Sequence, residues 1–325
     1  MSIIPALRSY VDARGLGSML PQSIPRARVS EILGRAGREP VIWHAHRNNE
    51  LLLGVVLRLL RRKLRVVFTR HGSYPPSRFT QWIGRWADAL ITLNPENASW
   101  MPMPSTVIPH GLDLTRFAPP LDRRVAWERL GLGGRRGIGV VGRVRVNKGQ
   151  ADFVDAIAPL IPKFPEWRAV LVGLAKGPDV PWAKSLQQKT GGRLTLAGDQ
   201  KDVVPWYQGL SILVNPSHGE SFGLTLIEGM ATGCCVVASR LYHVPDLIED
   251  GRTGYLFPGR DVKALGDLLQ MLMREPHRAE EVGRNAAEAA RARFGIDREA
   301  RAITEVYARF GGVQPYSNDE RAAAG

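Results

Sequence analysis

The chain has 325 residues, 23% of them charged and 44% hydrophobic, the balance of an ordinary folded protein and not of a disordered or fibrous one. At this length a single hydrophobic core stops growing efficiently, so two domains are expected, each large enough to fold without covalent staples. The net charge is +13, and 15 Lys and Arg against 6 Asp and Glu up to residue 109 concentrate +9 of it in the first third, which suits an anionic partner: nucleic acid, an anionic membrane surface or an acidic glycolipid.

The first twenty residues carry Arg8, Asp12 and Arg14 and no long apolar stretch, so neither a secretory leader nor a membrane span is expected there, and a cytoplasmic location is expected. Gly15, Gly17, Pro21 and Pro25 interrupt this region, whose only helical pattern runs from about Arg28 to Arg38. The first lobe therefore reads as short at its beginning. From residue 40 short apolar strands alternate with helical segments, the signature of βαβ units and a parallel sheet. Val41 to His46 reads as a strand, Asn48 to Arg62 as a helix, and Leu64 to Thr69, Asp88 to Leu93 and Thr106 to Ile108 as further strands. His44 and His46 alternate with Trp43 and Ala45 and share one strand face. One of them is expected to be a satisfied core histidine, and neither has metal-site partners nearby.

The helix from Asn48 to Arg62 has two readings. Leu51, Leu52, Leu53, Val55, Val56, Leu57, Leu59 and Leu60 make it apolar nearly all round, which favours a packed crossover helix. The basic end at Arg61, Arg62 and Lys63 leaves open a membrane-surface element attracted to anionic lipid.

A second series of strands comes after the prolines at 119 and 120, near Ile138 to Val141, Ala169 to Val172, Leu194 to Leu196, Ile212 to Val214 and Val236 to Ala238. Between Val262 and Phe310 the apolar residues fall at helical spacing, and the polar, Ala-rich tail beyond is expected to be disordered. The two cysteines, Cys234 and Cys235, are adjacent in an apolar run, where reduced buried thiols are expected and a disulfide or zinc framework is not.

Two segments carry chemistry. Gly142-Arg143-Val144-Arg145-Val146-Asn147-Lys148-Gly149 leaves an apolar strand and enters a helix, placing two cations at the carboxyl end of a strand, where open α/β sheets bind ligands; a phosphate suits them, and a solvated loop is the bland alternative. His218-Gly219-Glu220-Ser221-Phe222-Gly223-Leu224-Thr225-Leu226-Ile227-Glu228 comes after a strand that ends at Asn215. A helix from Gly223 to Thr232 puts Glu220 in the loop and Glu228 on the second turn. Phe222, Gly223, Leu224 and Thr225 form the helix start, whose free N–H groups and dipole attract an anion. Two acids flanking an anion site point to an anionic ligand rich in hydroxyls.

The combination of Glu220-x7-Glu228, Gly142-Arg143-x4-Lys148-Gly149, Pro109-His110-Gly111-Leu112-Asp113 and Pro245-Asp246 to Gly254 resembles the retaining glycosyltransferases of family 4, over about residues 40 to 310. The segments from Ile42 to Glu50, Phe68 to Arg70 and Ser105 to Gly111 are similar to bacterial lipopolysaccharide core mannosyltransferases. The resemblance implies an α/β chain of the GT-B class: a Rossmann-like acceptor-side domain at 1–109, a Rossmann-like nucleotide-sugar domain at 110–295, the two facing a cleft, and a C-terminal helix within 296–325 packing back on the first domain. It implies that Arg143 and Lys148 neutralise the departing diphosphate, Glu228 binds the ribose hydroxyls and Glu220 the transferred sugar, with Gly142, Phe222, Gly223, Leu224 and Thr225 around the donor. His71 matches a histidine that faces the donor sugar; a loop histidine capping the next helix is the other reading.

The same resemblance implies transfer of a sugar, with mannose from GDP-mannose expected, to a lipopolysaccharide core or other lipid-linked acceptor at the cytoplasmic face of the inner membrane, with no cofactor and no metal. A UDP-sugar transferase or a sugar-nucleotide epimerase is the rival of the same fold. A basic nucleic-acid-binding protein is the rival of another class; no helix-turn-helix, zinc-finger or RNA-recognition pattern supports it, so no nucleic acid partner is expected.

Overall fold

A computed structural model of the chain describes residues 3–17, 20–72 and 74–311. The chain divides into two compact units, Met1–Gly111 with Phe294–Gly325, and Leu112–Arg293. The tail beyond residue 311, expected to be disordered, lies outside the described residues.

The first unit opens with α1 (Ile4–Leu7) and α2 (Val29–Arg35). Four parallel strands then lie in chain order: β1 (Val41–Ala45), β2 (Leu64–Arg70), β3 (Ala89–Thr92) and β4 (Ser105–Val107). Side chains alternate along a strand, and β2 serves two cores. Val66 and Phe68 pack with Trp43, Leu51, Leu57 and Ile83, whereas Val67 packs with Ile91, Leu7, Ile303 and Val306. The first core lies under α3 (Asn48–Leu60) and α4 (Arg78–Gly84), the second under α1 and the last described helix. Missed from sequence was α1, a single turn whose anchor on that last helix is distant along the chain.

The helix that reads as apolar all round in sequence is not buried all round. Only Leu51, Gly54 and Leu57 of α3 are buried, while Leu52, Leu53, Val56, Leu59 and Leu60 form an exposed stripe, with Leu59 76% exposed. Helix α4 exposes Phe79 and Trp82, and Trp86 just beyond its end is exposed too. Crossovers between successive parallel strands running in one direction keep the same right-handed sense, so α3 and α4 cover the same sheet face. The basic end of α3 is partly neutralised: Asp88 pairs with Arg58 at 2.9 Å and Arg65 at 3.4 Å, and Lys63 donates to the Arg38 carbonyl.

After α5 (Pro95–Ser99), the second unit runs α6 (Arg123–Glu128), β5 (Arg136–Val141), α7 (Gln150–Ile157), β6 (Trp167–Val172), α8 (Asp179–Lys189), β7 (Leu194–Gly198), α9 (Val204–Gly209), β8 (Leu210–Asn215), α10 (Leu224–Ala231), β9 (Cys235–Ser239), α11 (Val244–Leu247), β10 (Tyr255–Phe257), α12 (Val262–Arg274) and α13 (Pro276–Arg293); α14 (Ile296–Ala308) returns to the first unit. Its six parallel strands are ordered β10-β9-β8-β5-β6-β7, so the sheet grows outward both ways from the β5/β8 pair. Ile138, Val140, Ile212 and Val237 from this sheet pack on Phe153, Ile157, Leu265 and Leu269 from α7 and α12. Both cysteines are buried and unpaired, as expected, and burial raises both thiol pKa values.

Candidate active site

Ligands of open α/β sheets bind outside the carboxyl ends of the strands where the strand order reverses. In the second unit that point lies between β5 and β8, and the loops leaving these strands are 142–149 and 216–223. The two loops touch at Gly149, whose φ is 68°; a Cβ there would stand 1.9 Å from the Pro216 carbonyl oxygen, so no larger residue fits. The His218 backbone N–H donates to the Asn147 carbonyl at 3.1 Å, and the His218 ring meets Asp152 at 2.7 Å, tying the loops to α7. Joined in this way, they bring Lys148 Nζ to 3.0 Å from Glu220 Oε2, with both side chains half-buried. The Ser221 N–H donates to the other Glu220 oxygen at 3.2 Å. Gly223, with φ of 90°, caps α10 without any side-chain hydrogen bond, leaving the helix start open to an anion.

Beside this pair lies a cavity of about 350 Å³ lined by Gly142, Arg143, Thr225 and Glu228, together with Gly173, Lys176, Asp199, Gln200, Val203 and Tyr207. The Tyr207 hydroxyl donates to Glu228 Oε2 at 2.7 Å. Burial raises the Glu228 carboxyl above the usual carboxylate range, with the Tyr207 hydrogen bond acting against it; burial and the neighbouring Glu228 push the Tyr207 phenol well up. Tyr207 therefore stays the donor, and Glu228 Oε1 is the acceptor left for a ligand hydroxyl. Ionised Glu228 accepts such bonds and protonated Glu228 accepts them poorly, so ligand affinity should weaken as the pH falls. Because the pKa is raised, the loss should begin at a higher pH than an exposed carboxylate would give. A donor titration from about pH 8 to about pH 5 checks this, with Glu228→Gln expected to flatten the profile.

Of the residues singled out from sequence, Gly142, Arg143, Thr225 and Glu228 share the cavity, and Lys148 and Glu220 form the ion pair of the adjoining loops. Phe222 is buried and Leu224 exposed, so neither side chain lines the cavity; what this stretch offers a ligand is backbone. His71 lies in the first unit, at the carboxyl end of β2. It does not cap the next helix, because Ser77 does so by accepting the Thr80 N–H. His44 is the satisfied histidine of its strand, held between the Tyr307 hydroxyl at 2.6 Å and Thr69 Oγ1 at 2.7 Å. Sequence reasoning missed Tyr207, Lys176, Asp199 and Gln200. The last three lie just beyond the carboxyl ends of β6 and β7, and reading every strand end as ligand-facing finds them; Tyr207 on α9 carries no such signal. Among the described residues no group of three or more His, Cys, Asp or Glu is placed to hold a metal ion.

Residues 135–275 match the model of the group 1 glycosyl transferases. The chain is 35% identical over 305 residues to the lipopolysaccharide core biosynthesis mannosyltransferase LpsB of Rhizobium meliloti, covering 90% of this chain and 87% of that protein. This chain belongs to the group 1 glycosyltransferases. The glycosyltransferase is also 36% identical to the lipopolysaccharide core biosynthesis mannosyltransferase LpcC of Rhizobium leguminosarum, covering 94% of this chain and 90% of that protein. Among solved structures it is similar to Anabaena HepE, determined with UDP and glucose, at a TM-score of 0.76 and 21% identity, covering 86% of this chain and 81% of that one. The two parallel-sheet units are those of the GT-B class, with the helices α12, α13 and α14 last among the described elements.

Proposed function

We propose that this glycosyltransferase moves mannose from GDP-mannose, with retention of anomeric configuration and without a metal, to a lipopolysaccharide core or similar lipid-linked saccharide at the cytoplasmic face of the inner membrane. The observation that carries the reading is its likeness, over nine-tenths of the chain, to two proteins named as lipopolysaccharide core mannosyltransferases. The site chemistry supports it. Arg143 and Lys148 take up charge on the departing diphosphate, and the open start of α10 adds its dipole. Glu228 binds the ribose hydroxyls beside Tyr207, and Glu220 holds the transferred sugar. The bond from the anomeric carbon to the diphosphate oxygen breaks, the bond to the acceptor oxygen forms on the same face, and the acceptor hydroxyl proton passes to the departing phosphate. No pair of hydrolase carboxylic acids is required.

Incubating the protein with radiolabelled donors and a mannose-deficient core acceptor in EDTA tests the reading. Labelled product from GDP-mannose, in amounts unchanged by chelation, is expected. Product from UDP-glucose alone would replace the donor, and activity abolished by EDTA and restored by one divalent metal would defeat the metal-free mechanism.

The exposed face of α3 and α4 supports work at a membrane surface. No described helix is long and apolar enough to cross a bilayer, yet Val56, Leu59 and Leu60 of α3, Trp82 of α4 and Trp86 just beyond it are each exposed, and Arg61, Arg62 and Lys63 stand at the end of α3. Apolar side chains with indole rings and cations beside them suit the headgroup boundary of an anionic bilayer. Each cation there contributes on the order of 1 kcal/mol, screened within about 8 Å at physiological salt. Replacing Arg61, Arg62 and Lys63 by Glu should therefore lower co-sedimentation with anionic vesicles mainly at low salt. Leu59→Ser with Trp82→Ser should lower the part that survives high salt. Donor affinity should be unchanged in both, and vesicle binding that neither set of changes reduces would rule this face out as the membrane contact.

A further inference from the structure

His44, His46, His71 and His110 stand at the carboxyl ends of β1, β2 and β4 in the first unit. Their rings stack in order, with centroids 4.5, 5.2 and 5.1 Å apart. His44 is closed at both nitrogens. The other three form a hydrogen-bonded chain that ends on a carboxylate of α14: His46 Nδ1 to His71 Nε2 at 2.9 Å, His71 Nδ1 to His110 Nε2 at 3.2 Å, and His110 Nδ1 to Glu299 Oε1 at 2.9 Å. The second oxygen of Glu299 accepts the Gly111 N–H at 2.8 Å. Among the described residues no hydrogen bond reaches His46 Nε2, and His46 is exposed.

We propose that Glu299 is a positioning residue that sets the proton arrangement of this chain, so that His46 Nε2, three rings away, is presented as a hydrogen-bond acceptor for a hydroxyl of the saccharide substrate. The proposal rests on the glycosyltransferase reading for the class of ligand and on the geometry for the rest. A carboxylate only accepts, so the proton between Glu299 and His110 sits on His110 Nδ1. All three rings are taken as neutral; in a neutral imidazole the other nitrogen is an acceptor, so His110 Nε2 takes a proton from His71 Nδ1. By the same step His71 Nε2 accepts from His46 Nδ1, and His46 Nε2 is left with its lone pair. Burial, first of all, favours the neutral form of His71, whose pKa falls to about 3. Glu50 and Arg47, 3.9 Å apart, are the charged groups at this end; one Glu50 oxygen accepts the His46 backbone N–H at 2.9 Å, so it anchors the loop that carries the open ring. A chain of such bonds acts as a unit, because each donor is fixed by its neighbour.

Glu299→Gln inverts the chain in a readable way. The Gly111 N–H still needs the side-chain oxygen, which turns the amide NH2 toward His110 Nδ1. His110 then carries its proton on Nε2, His71 on Nε2, and His46 on Nε2. The experiment is long-range proton–nitrogen NMR of the histidine rings in the full-length protein labelled with nitrogen-15, at neutral pH. In the native protein His46 Nε2 should read as unprotonated and Nδ1 as protonated; in Glu299→Gln the two should exchange. His110→Phe keeps a ring in the stack but cuts the chain, and it too should allow the proton onto His46 Nε2. Transfer by Glu299→Gln should fall on the order of tenfold, as expected when a ring is held in the wrong tautomer. A protonated His46 Nε2 in the native protein, or an unprotonated one in both variants, overturns the proposal. The ring spectra need no turnover, so absence of mannosyl transfer by the native protein would overturn the functional reading and leave the chain assignment standing on its own result.

Discussion

Lys148→Ala and Arg143→Ala are each expected to lower transfer by about 10²- to 10³-fold, the usual consequence of removing one preorganised positive group from developing negative charge, with little change in melting temperature. Arg143 is exposed at the cavity rim and Lys148 is only half-buried, so neither supports a core. The Lys148–Glu220 pair adds a second expectation. Residues in contact couple, so Lys148→Ala combined with Glu220→Ala should cost less than the product of the two single losses. Steady-state rates for the single and double variants check both statements. Near-normal turnover in either cation variant would mean that the phosphate lies elsewhere.

The second large effect divides the two glutamates. A ribose contact is common to the ground and transition states, so loss of Glu228 should raise the donor KM, by about 10- to 100-fold for a charged hydrogen bond, and leave kcat nearly unchanged. A contact to the transferred sugar tightens as positive charge develops at the anomeric carbon, so loss of Glu220 should lower kcat and spare KM. The choice of substitution matters at Glu228. Alanine would strand the buried Tyr207 hydroxyl, at a cost of about 1–3 kcal/mol in stability, whereas Glu228→Gln keeps an acceptor for it. Equal effects on kcat and KM for both glutamates would contradict the division.

The second unit was the more legible in sequence. Its buried parallel strands are continuous apolar runs, and the Arg143–Lys148 and Glu220–Glu228 segments leave the two strands that become central. Strand β10, only three residues long and held at the edge by β9, has no periodicity to read. Hydrophobicity alone misjudged α3, because an all-apolar helix signals burial only when something covers each side, and nothing covers Leu59. The walls of the cavity were illegible for another reason: Lys176, Asp199 and Tyr207 come from three separate segments and meet only through the strand order. The histidine chain was harder still, since Glu299 lies 189 residues from His110.

The central claim, that the second unit holds a nucleotide sugar with Glu228 on its ribose, is tested most directly by thermal unfolding with candidate donors. A ligand that binds only the folded state stabilises it by mass action, about 2.7 kcal/mol at a hundredfold excess over Kd. GDP-mannose should raise the melting temperature of the native protein by a few degrees, and Glu228→Gln, folded and of similar intrinsic stability, should lose most of that shift. A shift of equal size in Glu228→Gln, or none with any nucleotide sugar in the native protein, would contradict the claim.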